Sequence, residues 1–305
     1  MSKCWRRIRK RVKNWLIYIL VKGGLFWIRS VQRTTATKFL QALSLVGFYF
    51  ARAERRKAIK HLTMVYGNEK SQREIYAIAK AVFINLGRNM ADAFRIPLYN
   101  AQNIDCFVKV AGLENLDHAL HKGKGVLALT GHIGNWELMG GYLAMKGYPV
   151  NVVGAPIYDS RLDELVVNNR LQSGMKYIAR GSAAREIMRA LRRNEIVGLL
   201  IDQDTKHVEG VFVNFLGEKA FTPVGPVIVA MKTGAAVVPM AIHIQQDNTH
   251  LIEINEELEL AFTKDESCNR IHNTQICSDA IEKFIRKYPT QWVWMHRRWK
   301  TRPGN

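Results

Sequence analysis

His132 and Glu137, in the segment Thr130-Gly131-His132-Ile133-Gly134-Asn135-Trp136-Glu137, are the residues whose types and spacing most directly suggest chemistry. An imidazole held by a carboxylate is a general base, because the carboxylate fixes the tautomer and stabilises the imidazolium formed when the ring takes a proton. No seryl or cysteinyl nucleophile motif accompanies the pair, so the proton to be taken is that of a substrate hydroxyl. Five positions on a regular helix separate two side chains by about 140°. The two groups can therefore converge only if His132 sits on a turn ahead of the helix that carries Glu137. From spacing alone, a structural turn histidine followed by a helix-entry glutamate is the simpler reading.

The flanking sequence supplies such a turn. Val126-Leu127-Ala128-Leu129-Thr130 is a buried-strand run and Trp136-Glu137-Leu138-Met139 begins a helical one, which puts His132 at a strand end, where α/β sheets place reactive groups. Gly131 and Gly134 are expected to supply the unusual backbone angles, and Asn135 to cap the helix. The amide groups of that helix N-terminus could hold a phosphate or a developing oxyanion.

Short apolar runs at 107–110, 126–129, 150–153, 196–201, 236–240 and 251–254 read as strands. Helical stretches at 134–147, 160–173, 182–194, 223–234 and 273–288 alternate with them. The pattern predicts an α/β fold, a mixed β-sheet flanked by helices. Helices dominate the first hundred residues. Ser71 and Glu74 form a capping-box pair ahead of a helix patterned by Ile75, Ile78, Ala79, Val82 and Phe83. Residues 38–65 read as an amphipathic helix with a cationic face built from Arg52, Arg55, Arg56, Lys57 and Lys60. One soft boundary falls between residues 50 and 70, dividing a basic and apolar membrane-anchoring helical segment (1–60) from an α/β domain (61–305).

Charge points to polyanionic company: 45 Lys and Arg against 26 Asp and Glu leave a formal net charge of +19. Lys3, Arg6, Arg7, Arg9, Lys10, Arg11 and Lys13 precede the apolar stretch Trp15–Ile28, with no acid among residues 1–13. No small-residue cleavage site follows, so removal as a signal peptide is not expected. Lys22 interrupts the stretch short of the ~20 apolar residues that a bilayer core requires. It either spans with Lys22 drawn to one interface, or lies in the headgroup region anchored by Trp15, Tyr18 and Trp27. A first core helix is the soluble alternative. The positive flank favours a cytoplasmic N-terminus. Cys4, Cys106, Cys268 and Cys277 are scattered without metal or redox spacing, as expected of reduced thiols and a chain without a metal site. A catalytically silent polyanion-binding protein is the competing class, with Trp292, Trp294 and Trp299 beside Arg297, Arg298 and Lys300 as a possible stacking and phosphate patch. The apolar, aromatic N-terminus and the lack of a nucleic-acid motif argue against nucleic acid, and an interfacial helix or strand end is the simpler account of those tryptophans.

The segment Thr130–Glu137 resembles the His-x4-Asp/Glu block of the lysophospholipid and glycerophosphate acyltransferase superfamily. Its Gly-Asn-Trp-Glu form is similar in particular to the late, or secondary, lipid A acyltransferases. Further blocks follow in the family's order: Asp202-Gln203-Asp204, the Gly210-Val211-Phe212-Val213 loop, Thr222-Pro223, Thr233–Pro239, and the closing Trp292-Val293-Trp294-Met295-His296-Arg297-Arg298-Trp299-Lys300. The resemblance covers nearly the whole chain. It implies a glycerophosphate acyltransferase-like fold with His132 as the base that deprotonates the acceptor hydroxyl and Glu137 as its orienting carboxylate. It also implies Arg170 on an acceptor phosphate, a bidentate role that suits a guanidinium, with Arg180 as a second candidate. Asn135, Asp202 and Asp204 fall beside the site as substrate-binding neighbours. The implied donor is acyl-acyl carrier protein, with no cofactor. The implied acceptor is a phosphorylated glycolipid of the Kdo-lipid IVA type, with a lysophospholipid or another membrane glycolipid as the alternative. The place of action would be an anionic membrane surface, the cytoplasmic face of the bacterial inner membrane, with the chain peripheral or crossing once near its N-terminus. One stretch departs from the lipid A members: Ala155-Pro156-Ile157-Tyr158-Asp159 lacks their Tyr-Arg and Asn-Pro pairs.

Overall fold

The computed structural model describes residues 3–180, 183–205 and 208–303; of the expected N-terminal basic block, the side chains of Lys3, Arg6, Arg7 and Lys10 lie outside the described residues. Four helices come first: α1 (Lys3–Ser30), α2 (Arg33–Phe50), α3 (Arg52–Tyr66) and α4 (Gln72–Arg95). The segment expected as one amphipathic helix is two. Ala51, at φ −79° and ψ 62°, leaves helical geometry. Arg55 Nη1 donates to the carbonyls of Phe48 and Tyr49 near the break, which the end of α2 leaves without helical partners. The capping box opens α4 as expected, with the Ser71 amide donating to Glu74 at 2.8 Å and the Glu74 amide donating back to Ser71 Oγ.

After α4 the chain runs β1 (Val108–Ala111), α5 (Leu113–His121), β2 (Val126–Thr130), α6 (Trp136–Met145), β3 (Val150–Gly154), α7 (Ser160–Gln172), β4 (Lys176–Ala179), α8 (Ala183–Arg192) and β5 (Ile196–Leu200). It continues through β6 (Gly210–Phe215), β7 (Glu218–Pro223), α9 (Gly225–Thr233), β8 (Ala236–Ile244), β9 (His250–Ile254) and α10 (Glu266–Lys287). Seven strands form one sheet in the order β1-β9-β8-β2-β5-β3-β4, and β6 with β7 forms a separate hairpin. Every pair in the large sheet is parallel except β8 with β9, so the sheet is mixed and flanked by helices, as expected.

The differences from expectation are local. The Gly210–Val213 block is a strand of the hairpin instead of a loop, closed by Leu216 and Gly217 at φ 55° and 88°, the positive-φ geometry that two-residue hairpin turns require. It is tied to α10, whose Gln275 exchanges hydrogen bonds with the Asn214 backbone. β4 is a four-residue edge strand with only Ile178 fully buried, too little apolar signal to register as a strand. In α10 the Asp265 side chain accepts from the Cys268 amide, so the helix begins at Glu266 instead of 273.

β2 is buried at every residue, as a strand covered on both faces must be. Leu127 and Leu129 join one apolar cluster, and Val126 and Ala128 join the other. Phe48, Ala58 and Leu62 share the first cluster, so α2 and α3 pack onto the α/β body across residue 60. A buried polar knot fastens the N-terminal helices further. Fully buried Asp92 on α4 accepts two bonds from Arg33 at 2.7 and 2.6 Å, one from Tyr99 at 2.6 Å, and meets His250 Nε2 of β9 at 2.8 Å. Burial alone would raise the Asp92 pKa, but His250 and Arg33 hold it well below the usual carboxylate range. Among the described residues no helix is long and apolar enough to cross a membrane.

Candidate active site

The register of two parallel strands builds the site. β2 pairs with β5 so that Thr130 lies opposite Leu200, and two residues beyond each strand end stand His132 and Asp202. His132 Nδ1 lies 2.8 Å from Asp202 Oδ1, and the His132 backbone N–H donates to Asp202 Oδ2 at 2.7 Å. The carboxylate that orients the histidine is therefore Asp202. Glu137 is turned elsewhere, because on the first turn of α6 it faces the last turn of α7, where Arg170 grips it through two parallel bonds, one of them 2.8 Å long. Five residues of turn and helix do carry Glu137 into the same cavity as His132, but as the partner of an arginine.

Asp202 has no exposed side-chain surface, whereas His132 keeps 19%. Burial by itself pushes the Asp202 pKa up. His132, through its charge whenever the ring is protonated and through the bonds it donates, outweighs burial together with the Trp292 N–H and holds the group well below the usual carboxylate range, so it stays ionised. An ionised carboxylate at Nδ1 leaves the Nε2 lone pair of a neutral imidazole free to accept a proton.

The turn itself needs both glycines, for different reasons. Gly134 has φ +59°, and a Cβ there would stand 1.8 Å from the Ile242 carbonyl oxygen. Gly131 serves by smallness instead of by backbone angle, since a Cβ on it would meet the Asp202 carboxylate at 3.1 Å. Asn135 is the helix cap expected of it, accepting from the Leu138 amide at 3.1 Å. Its other end donates to the Asn89 carbonyl at 2.9 Å and the residue is only 3% exposed. Its expected contact with substrate gives way to that buried structural task.

The closing segment of the chain clamps the turn from the other side. Ile133 and Trp292 form a β-bridge, the Val293 amide donates to the His132 carbonyl and the Gly134 amide to the Gln291 carbonyl. The Trp292 indole N–H donates to Asp202 Oδ2 at 2.7 Å. Trp292 and Trp294 are fully buried and Trp299 nearly so, which corrects the interfacial reading of these tryptophans: Trp294 and Trp299 pack edge-on against the Trp292 ring that donates to the acid. Arg298 is buried as well, over the Phe215 ring and donating to Phe221 O and Thr222 Oγ1, so it is not part of an exposed phosphate patch. Asp204 accepts from the amide and hydroxyl of Thr301 and pins that segment.

His132 opens into a cavity of about 620 Å³. Its wall combines Trp136, Glu137, Arg170, Arg180 and Gln203 with apolar side chains such as Met139, Leu143, Val150, Ile187 and Met240. Arg170 also lies over the Tyr177 ring, 5.6 Å from its centroid, so Glu137 and Tyr177 hold it at the cavity wall. Arg180 lines the cavity and is exposed. Among the described residues no group of three or more His, Cys, Asp or Glu has a metal-holding arrangement.

Two residues of the sequence motifs join the site without a signal of type or spacing to mark them, Gln203 and His296. Gln203 Nε2 stands 3.0 Å from His132 Nε2 and 3.0 Å from His296 Nε2. The rings of His296 and Trp136 each stand edge-on to His132 with centroids 4.8 Å away. Burial, with His132 adding to it, pushes His296 down to about 4.

Residues 6–301 match a family model described as bacterial lipid A biosynthesis acyltransferase. A phosphatidylinositol mannoside acyltransferase of Mycobacterium tuberculosis is 30% identical over 161 residues, covering 50% of this chain and 50% of the relative. A lipid A biosynthesis palmitoleoyltransferase of Escherichia coli is 26% identical over 254 residues, covering 82% and 80%. A lipid A biosynthesis lauroyltransferase of the same organism is 26% identical over 258 residues, covering 82% and 81%. The match thus spans about half the length of the mycobacterial relative and about four fifths of the two from E. coli.

Proposed function

The chain belongs to the bacterial lipid A biosynthesis acyltransferase family, and from that premise we propose that it moves a fatty acyl chain from acyl carrier protein to a hydroxyl of a phosphorylated glycolipid, a lipid A precursor of the Kdo-lipid IVA type. What carries this reading is one relationship: His132, its Nδ1 fixed by the buried Asp202, lines a largely apolar cavity. Apolar walls suit an acyl chain, since each methylene taken from water contributes about 0.8 kcal/mol. His132 Nε2 takes the acceptor proton, and the alkoxide attacks the thioester carbonyl. No cofactor is needed by that chemistry. Arg180, exposed on the cavity wall, is the arginine we assign to an acceptor phosphate, while Arg170 holds Glu137 and with it the start of α6.

The reaction site is a membrane surface, the cytoplasmic face of the inner membrane. In support, Leu20 and Phe26 of α1 and Phe50 of α2 are 74%, 74% and 82% exposed, beside the exposed Arg9, Arg11, Lys13 and Lys22. An apolar strip flanked by cations suits an anionic bilayer and an acidic carrier protein alike. A peripheral attachment through α1 and α2 fits these helices better than a span.

The similarity to phosphatidylinositol mannoside acyltransferases favours one second reading, in which the same chemistry acylates another phosphorylated membrane glycolipid. Lipid mass spectrometry of a strain lacking the gene separates the two. Loss of one secondary acyl chain from lipid A supports the first reading, and a change confined to other glycolipids or phospholipids supports the second. Purified wild-type protein and His132→Ala, given acyl carrier thioester and precursor, test the base: equal turnover would overturn it.

A further inference from the structure

We propose that the Gln203 carboxamide is the donor that stabilises the oxyanion of acyl transfer, and that His296 is the residue that positions it. The inference rests on the acyltransferase reading above and adds a group to it.

Asp202 at Nδ1 leaves His132 Nε2 as a bare acceptor, so whatever lies beside Nε2 must donate. Gln203 meets that need with its amide nitrogen at 3.0 Å. The same nitrogen is 3.0 Å from His296 Nε2, so its two N–H groups reach two imidazole lone pairs. His296, neutral at ordinary pH because of its burial, keeps such a lone pair. Gln203 follows Asp202 directly, three residues beyond β5, and lines the cavity. The chain therefore presents an orienting acid, a base and a second donor around one point, with the donor spanned between two histidines.

When an acceptor hydroxyl takes the His132 Nε2 lone pair, it displaces one Gln203 N–H. The freed N–H remains next to the reacting oxygen while the second stays on His296. The hydroxyl proton passes to Nε2, the oxygen bonds to the thioester carbonyl carbon, and the carbonyl π pair moves onto its oxygen, where the Gln203 N–H donates. Collapse restores the C=O bond and breaks the C–S bond, and the His132 imidazolium returns its proton to the departing thiolate. An ester and a free thiol result, with nothing oxidised or reduced.

The test uses the full chain in detergent micelles, a lauroyl thioester of acyl carrier protein, and a phosphorylated diglucosamine lipid with free hydroxyacyl groups. Gln203→Leu and the isosteric Gln203→Glu, which has no N–H to donate, are both expected to lower kcat about 10²–10³-fold, the range for loss of one oxyanion donor, with KM within about twofold. His296→Phe is expected to cost about tenfold, and Gln203→Leu/His296→Phe no more than Gln203→Leu alone, because His296 acts only through Gln203. Gln203→Glu keeping kcat within about threefold of wild type, a loss confined to KM, or multiplicative losses in the double variant would each overturn the proposal. His132→Ala, run beside them, keeps the two readings apart. If it matches wild type the base assignment fails, whereas full activity in the Gln203 variants alone removes only the donor.

Discussion

Asp202 Oδ1 lies 2.8 Å from His132 Nδ1, and the other oxygen of the same carboxylate takes the His132 backbone N–H and the Trp292 indole N–H, each at 2.7 Å. One buried acid thus fixes the imidazole, the turn that carries it and the closing segment of the chain. Trp292→Phe keeps most of the ring bulk and removes one donor from the buried carboxylate. It is expected to cost about 1–3 kcal/mol, the penalty for leaving a buried polar group short of a partner. A denaturant titration reads this as a lowered midpoint with unchanged slope.

Glu137 and Arg170 act as a unit that joins α6 to α7, with Tyr177 under the guanidinium. Glu137→Gln and Arg170→Gln should therefore lower kcat/KM by similar factors, and the double variant should fall little below either single one, since both remove the same clamp. Steady-state kinetics on the three variants checks it. Independent, multiplying losses would show that the two side chains do separate work.

The strand before His132 is legible as an apolar run, and the start of the helix after it is legible from Asn135, a polar capping residue type that does cap α6. The partner of His132 is not legible from spacing, because Asp202 lies 70 residues away. It arrives only through the parallel register of β2 with β5, which local sequence does not encode. The same limit explains Glu137. The His-x4-Asp/Glu resemblance assigns it to the histidine, yet its partner on α7 is 33 residues further on. The tryptophans near the C-terminus read as interfacial because aromatic residues mixed with arginines look amphipathic. Their burial depends on tertiary packing against α3, β6 and the Asp202 turn. The Ser71 capping box and the Gly134 turn were legible because both are local: each is completed within a few residues.

His296 gives a pH signature. Its pKa is pushed down to about 4 in the folded chain, against about 6.5 for an unperturbed histidine. Between those values the unfolded chain takes up a proton that the folded chain refuses. Stability from this residue is therefore whole above about pH 6.5, declines as pH falls, and stops declining below about pH 4. His296→Gln should flatten that part of the curve while leaving the steeper acid loss below it, where Asp202 and Asp92 become protonated. Thermal melts across the acid range measure the difference.

The most direct test of the central claim, that Asp202 and not Glu137 makes His132 a base, is the kcat for acyl transfer by Asp202→Asn, measured with acyl carrier thioester at saturating acceptor on protein shown to be folded. An amide at Nδ1 removes the anion that stabilises the imidazolium. The expected result is a fall of about 10²–10⁴-fold with KM little changed. An Asp202→Asn enzyme that turns over like the wild type would contradict the account.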